Sequence, residues 1–196
     1  QVIVNDNVEK ANYKVEEEDV IQVTLPDPQS TEISPEDIPL DIIYEDEDVI
    51  VVNKPTGMIV HPSAGIYSGT LVNALLYHCH DLSAINGITR PGIVHRIDKE
   101  TSGVLVFAKD IKVHSMLKGH WNQDVSEREY IAIINGKLDD DSGTIKNYLK
   151  ENKNNMMYVA DSGKLAITHY KVLNKNKDYS LLQVNIDSGR KNQIRV

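Results

Sequence analysis

Apolar positions along this chain alternate more often than they recur at helical spacing. Val2-Ile3-Val4, a polar turn at Asn5-Asp6-Asn7, and Val20-Ile21-Gln22-Val23 before Pro26 describe a short β-rich piece,. From Pro26 to Pro39 prolines, serines, threonines and acids replace any apolar period, which is linker composition,. A continuous domain is expected from about Leu40, opening with the strand Val49-Ile50-Val51-Val52. Leu71, Ala74, Leu75 and His78 predict a helix over 70–80, and Asp110 is placed to cap another reaching Trp121, with Val113, Met116, Leu117 and Trp121 on one face,. Between them, Ile93 to Ile97 and Val104 to Ala108 read as short strands.

Beyond Glu127 strands dominate: Tyr130 to Ile134, Ile145 to Leu149, Met157 to Ala160, Leu165 to Leu173 and Tyr179 to Ile186, the last two forming an antiparallel hairpin around Asn174 to Asp178,. The expected class is α+β, a largely antiparallel mixed sheet flanked by helices. Val196 falls inside what reads as one more strand, so the domain at 40–196 is expected to be incomplete at its C-terminal end. Gln1 stands where a start methionine would, which suggests an excised piece.

No uncharged apolar run approaches the roughly 20 residues of a membrane-spanning helix. The single cysteine, Cys79, excludes an intramolecular disulfide and points to the cytoplasm,. A net charge of −8 argues at first against a nucleic-acid partner,. The acids are concentrated upstream, however: residues 1–55 hold 15 acidic and 3 basic side chains, and the remainder holds 18 basic against 14 acidic. The larger part of the chain is therefore net positive.

The densest chemistry is His95-Arg96-Ile97-Asp98-Lys99-Glu100-Thr101-Ser102-Gly103, a loop between apolar runs,. In extended backbone Arg96 and Asp98 share a side, and Thr101 to Gly103 suit a tight turn. Alone, such a string reads more readily as a salt-bridged turn than as a reactive site. Three further segments accompany it in order: Val51-Val52-Asn53-Lys54-Pro55 with Met58-Ile59-Val60-His61-Pro62, then Arg128-Glu129-Tyr130-Ile131-Ala132, then Ser188 to Val196.

Together these segments resemble the large-subunit ribosomal RNA pseudouridine synthases, whose signatures are N-K-P-x-G with H-P, H-R-L-D-x-x-T-S-G, a tyrosine segment, and G-R-x-H-Q-I-R-V. Residues 40–196 carry the resemblance, with Ile97 where Leu is usual and Asn192 where His is common. The resemblance implies Asp98 as catalytic carboxylate, Tyr130 stacked on the target uracil, and Arg195 paired with Asp98. It also implies RNA contacts at His95 and Arg96, the latter holding the displaced base or filling its vacancy. Residues 1–25 are similar to the C-terminal part of an S4-type RNA-binding module, joined by the linker 26–39.

The implied reaction breaks the uridine N1–C1′ bond, turns the base and rejoins it through C5, with no cofactor and no metal. A carboxylate attacks C1′ or removes a neighbouring sugar proton, and a guanidinium beside it would aim it and favour its charge. The base must first be flipped out of a helix, which an aromatic wall favours. Lys54, Arg90, Arg190 and Lys191 are then candidate phosphate contacts. RNA, large-subunit ribosomal RNA first, is the expected partner; no membrane and no obligatory protein partner is expected.

Two alternatives stand beside this reading. A non-catalytic RNA-binding module would use the same basic remainder. An aspartic protease is suggested by Asp-Ser-Gly at Asp141, Asp161 and Asp187, although that tripeptide is also a common turn. His78-Cys79-His80 is not read as a metal site, because helix neighbours at i and i+2 do not share a face.

Overall fold

The computed structural model describes residues 2–10, 12–24, 33–63, 65–79, 82, 92–125 and 127–196. The chain divides into two units, 1–32 and 33–196. In the first, β1 (Val2–Val4) pairs antiparallel with β2 (Asn7–Val8) and with β3 (Ile21–Val23). Asn5 and Asp6 between β1 and β2 both have positive φ, 48° and 66°, the backbone a two-residue hairpin loop needs,. Asn5 also exchanges bonds with Val20 and donates to Asp19, which closes this small sheet.

The second unit holds two sheets in which every described strand pairing is antiparallel. One is β4 (Ile42–Glu45), β5 (Val49–Lys54) and β6 (Gly103–Ala108) in the order β4-β5-β6. Strand β5 buries Ile50 and Val52, and β6 buries Leu105 and Phe107, alternate residues of each strand,. They pack against Leu71, Val72, Leu75 and Leu76 of α1 (Leu71–His78). A second helix, α2 (Ile111–Asp124), starts where Asp110 accepts from the Lys112 and Val113 amides.

The other sheet has the order β7-β11-β10-β8-β9, from β7 (Glu129–Asn135), β8 (Ser142–Glu151), β9 (Met157–Ala160), β10 (Lys164–Lys175) and β11 (Tyr179–Ile186). Leu182, Val184 and Ile186 of β11 form its core with Tyr130, Ala132, Ile134, Tyr170 and Ile194. Gly143 lets Tyr170 lie over β8, since a Cβ there would stand 2.7 Å from the phenol oxygen,.

Several expectations are corrected. Ile93 to Ile97 is not a strand: only Ile93 bridges to Phe107. Residues 188–196 form turns rather than a strand. The tight turn of the charged loop lies at 98–101, where the Thr101 amide donates to the Asp98 carbonyl, and not at 101–103. Met116 is exposed, and the inward position of α2 is taken by His114, whose Nε2 bonds the Ile93 carbonyl at 3.0 Å. Strand β4 had no clear sequence signal.

Residues 33–39, read as linker, belong to the second unit. Ile33 is buried in its core, and the Glu36 carboxylate accepts from the Gly69 amide. Asn73 ties this segment to α1. Its Oδ1 accepts from Thr70 while its Nδ2 donates to the Ser34 and Tyr67 carbonyls. Asn73 is fully buried, so truncating it strands several polar groups,. Asn73→Ala should destabilise the 33–196 unit by about 2–4 kcal/mol, measured by urea unfolding followed through the fluorescence of Trp121.

Candidate active site

Strand β5 ends in Lys54, and Pro55 with Gly57 then reverses the chain; Gly57 adopts φ 81°, which a side chain would resist,. Lys54 is completely buried. Its Nζ donates to three carbonyls, those of Pro55 at 2.7 Å, Met58 at 2.7 Å and Lys99 at 3.0 Å. The Gly57 amide also donates to the Lys99 carbonyl, and the Thr56 hydroxyl donates to that of Glu100. The turn at 98–101 is thereby fastened to residues 54–58. Burial lowers the Lys54 pKa, opposed by the nearby Glu100 and Asp98 carboxylates. Expected as a phosphate contact, Lys54 is instead the anchor of the loop.

His95, expected as an RNA contact, bonds the scaffold as well. Its Nε2 accepts from the Val106 amide at 3.1 Å, satisfying an edge group of β6 that no strand residue pairs,. Its ring stacks on Trp121 with centroids 4.3 Å apart and planes at 25°. Burial, helped by the Arg128 guanidinium, lowers its pKa to about 4, so the ring is neutral and serves as an acceptor near pH 7,.

Asp98 follows, a third exposed, at the lip of a cleft of about 730 Å³. Arg96, Tyr130, Asn192, Ile194 and Arg195 line the same cleft. Arg195 Nε stands 3.8 Å from Asp98 Oδ2, an ion pair rather than a hydrogen bond,. With its amide oriented as its neighbours require, Asn192 donates to both carboxylate oxygens, at 2.7 and 3.2 Å,. Asn192 has φ 53°, a left-handed conformation that Asn tolerates better than most residues,. Tyr130 is half-buried on β7; burial raises its phenol pKa, with Asp98 acting in the same sense and Arg128 against it. Arg96 is exposed, with no hydrogen-bond or ion-pair partner among the described residues.

The turn that carries Asn192 and Arg195 is held through Gln193. Its Oε1 accepts from Ser188 Oγ and the Arg190 amide, and its Nε2 donates to the Ile167 carbonyl and Thr168 Oγ1. Arg190 Nε donates to the Leu165 carbonyl, and Lys191 Nζ is paired with Glu151 and donates to the Asn155 carbonyl. Both cations, expected to contact phosphate, bond the sheet while remaining exposed in the cleft lining. Arg90 lies outside the described residues.

Arg128 was not singled out beforehand. Its guanidinium donates to the Asp187 carbonyl at 2.9 Å, steadying the approach to the 188–196 turn. A period-2 reading back from Tyr130 would have found it, since residues i and i+2 of a strand share a face.

The remaining candidates resolve into structure. Asp141 pairs with Lys175 and Asp187 with His169, at the ends of different strands. Glu45, His78 and Cys79 bring possible ligand atoms within 4.8 Å of one another, but the Lys109 ammonium already sits 2.9 Å from Glu45 Oε1. Lys109 and His78 together hold Glu45 below the usual carboxylate range. His80 lies outside the described residues.

Comparison with known proteins finds relatives for this chain. A family model described as RNA pseudouridylate synthase matches residues 48–196. The uncharacterized RNA pseudouridine synthase YlyB of Bacillus subtilis is 46% identical over 198 residues, covering all of this chain and 65% of that protein. Ribosomal large subunit pseudouridine synthase D of Zymomonas mobilis is 45% identical over 188 residues, covering 94% of this chain and 59% of its own length. The chain thus spans about three-fifths of these relatives. Among solved structures, human RNA pseudouridylate synthase domain containing 1 superposes with a TM-score of 0.65 at 21% identity, over 87% of this chain and 66% of that one, a likeness of fold.

Two outcomes test the scaffold. Lys54→Met leaves three converging carbonyls without a donor and should cost on the order of 3 kcal/mol of stability. Lys54→Arg should not restore it, because a planar guanidinium cannot aim three donors at one point; urea unfolding reads both. His95 titrates near 6.5 when unfolded and about 4 when folded, so the unfolded state binds more protons between those values,. Stability should therefore fall by about 3 kcal/mol from this group as pH drops from 7 to 4. His95→Gln, which keeps an acceptor for Val106, should lose that component in pH-dependent urea melts.

Proposed function

The chain belongs to the RNA pseudouridylate synthase family, and from that premise we propose that it isomerises uridine to pseudouridine in RNA, with Asp98 as the catalytic carboxylate. Large-subunit ribosomal RNA is the proposed substrate, a reading supported by relatives that carry ribosomal large subunit in their names. The single observation that carries the assignment is the Asp98 carboxylate at the lip of the cleft, with Asn192 donating to both of its oxygens and Arg195 beside it.

In this reading the target nucleotide is flipped into the cleft, with its uracil against Tyr130. Stacking of about 1–3 kcal/mol offsets much of the unstacking cost. Arg96, exposed on the cleft, fills the gap the base leaves or holds the base in place. Asp98 then acts at the ribose, attacking C1′ or removing the adjacent sugar proton, and the N1–C1′ bond breaks. The uracil turns and C5 bonds to C1′ as the bond from Asp98 to C1′ breaks or the abstracted sugar proton returns; C5 gives up its proton and N1 takes one up, so the product is an isomer of the substrate. Asn192 and Arg195 hold the carboxylate toward C1′ throughout.

The β-sheet of residues 2–23 is read as the C-terminal part of an S4-type RNA-binding module, and the cytoplasm as the place of action. Among the described residues no helix is long and apolar enough to cross a membrane.

The reading is tested by incubating the protein and its Asp98→Asn variant with ribosomal RNA and mapping pseudouridine by carbodiimide-blocked primer extension. Asp98→Asn should lose at least about 10²–10⁴-fold in rate while binding RNA as before. Equal activity in the two would refute the role of Asp98. RNA binding without product in either would make the protein a non-catalytic RNA-binding module.

A further inference from the structure

The hairpin of β8 and β9 has two unlike faces. Ile145, Asn147 and Leu149 of β8 line the apolar side of the sheet, and Val159 of β9 lies there too. The alternate residues Lys146, Tyr148 and Lys150 point the other way, and Tyr158 joins them because it pairs with Lys150,. Tyr148 and Tyr158 are 45% and 44% exposed, and Lys146 and Lys150 are exposed as well. Tyr148 pairs with Ala160, so the two rings are diagonal neighbours, about 7–8 Å apart at the backbone,. None of the four side chains has a hydrogen-bond or ion-pair partner among the described residues. The one carboxylate on these two strands, Glu151, lies on the opposite face, paired with Lys191.

Lysines on an edge hairpin also discourage strand-to-strand aggregation. That purpose does not call for two half-exposed tyrosines, Tyr148 between them and Tyr158 opposite Lys150. Aromatic faces interleaved with cations on a flat strand surface suit bases and phosphates alternating along one polynucleotide. Lys146 to Lys150 spans four strand residues, about 13 Å, the length of about four stacked nucleotides. The hairpin also adjoins the site. Lys191, next to Asn192, reaches from the C-terminal turn to Glu151 and the Asn155 carbonyl at the hairpin tip.

We propose that this face of the β8–β9 hairpin is a second RNA-binding surface. Tyr148 and Tyr158 stack bases of a single strand flanking the target uridine, and Lys146 and Lys150 neutralise its phosphates. The inference rests on the reading of the protein as an RNA-modifying enzyme, and adds a surface outside the catalytic cleft.

The test uses the full chain, a fluorescein-labelled single-stranded oligouridylate, and anisotropy measured across a potassium chloride series. Lys146→Gln with Lys150→Gln should weaken binding and flatten the slope of log K against log salt by about 1.4, two phosphates at about 0.7 each. Tyr148→Ala with Tyr158→Ala should weaken it about tenfold or more, and the paired Tyr→Phe variant should restore it, because a phenyl face stacks as a phenol does. With a ribosomal RNA transcript as substrate, both double variants should raise KM and leave kcat unchanged.

Wild-type affinity and salt slope in both double variants would overturn the proposal, as would a wild-type protein that does not bind the oligouridylate. Dependence on these residues for binding phosphatidylserine vesicles, but not RNA, would overturn it in favour of a membrane surface. Oligouridylate binding that depends on the four residues, in a protein that makes no pseudouridine, would uphold the surface and refute the catalytic reading.

Discussion

The geometry of the site depends on one buried ammonium group. Lys54 is fully buried and, among the described residues, forms no ion pair; three carbonyls meet its charge instead. Two belong to its own turn and the third to Lys99, one residue after Asp98. An unpaired charge at that depth would be far more costly than the ordering of a loop, so the loop is drawn to the lysine. The Thr56 and Gly57 bonds to residues 99 and 100 follow from the same approach. Asp98 is exposed to the cleft yet rests on backbone that cannot drift.

The rest of the site repeats this division between groups that hold and groups that face the cleft. His95 and Gln193 spend their polar atoms on backbone amides and carbonyls, and Lys191 on a carboxylate and a carbonyl. Those bonds bring the 92–101 segment beside β6 and the 187–196 turn onto β10. Facing the cleft are Asp98, Arg96, Tyr130, Asn192 and Arg195, with Arg190 and Lys191 also in its lining. A site assembled from chain segments nearly a hundred residues apart needs such supports, because each element alone leaves its loop free to move.

Neutral His95 illustrates how the support is kept consistent. Protonation would turn its acceptor nitrogen into a donor facing the Val106 amide,. Burial against Trp121 prevents this near neutral pH, so stacking and hydrogen bonding reinforce one protonation state.

The sequence by itself determined most of the elements and the family. Period-2 alternation placed β11 at its observed bounds, Asp110 and Thr70 marked the helix starts, and the ordered strings around Lys54, Asp98, Tyr130 and Arg195 pointed to one family. These are local signals, readable because strand and helix periods and motif spacing lie within a few residues. Only the tertiary structure decided which polar groups tie the loops to the sheets. Lys54 and Lys99 are 45 positions apart, Arg190 meets Leu165 and Lys191 meets Glu151, contacts that no local signal announces. The same holds for the two runs that failed as strands, 93–97 and 188–196, where side-chain bonds from His95 and Gln193 replace a ladder. The partner that satisfies a polar group is chosen by the fold, and that partner decides whether a lysine binds phosphate or holds a loop.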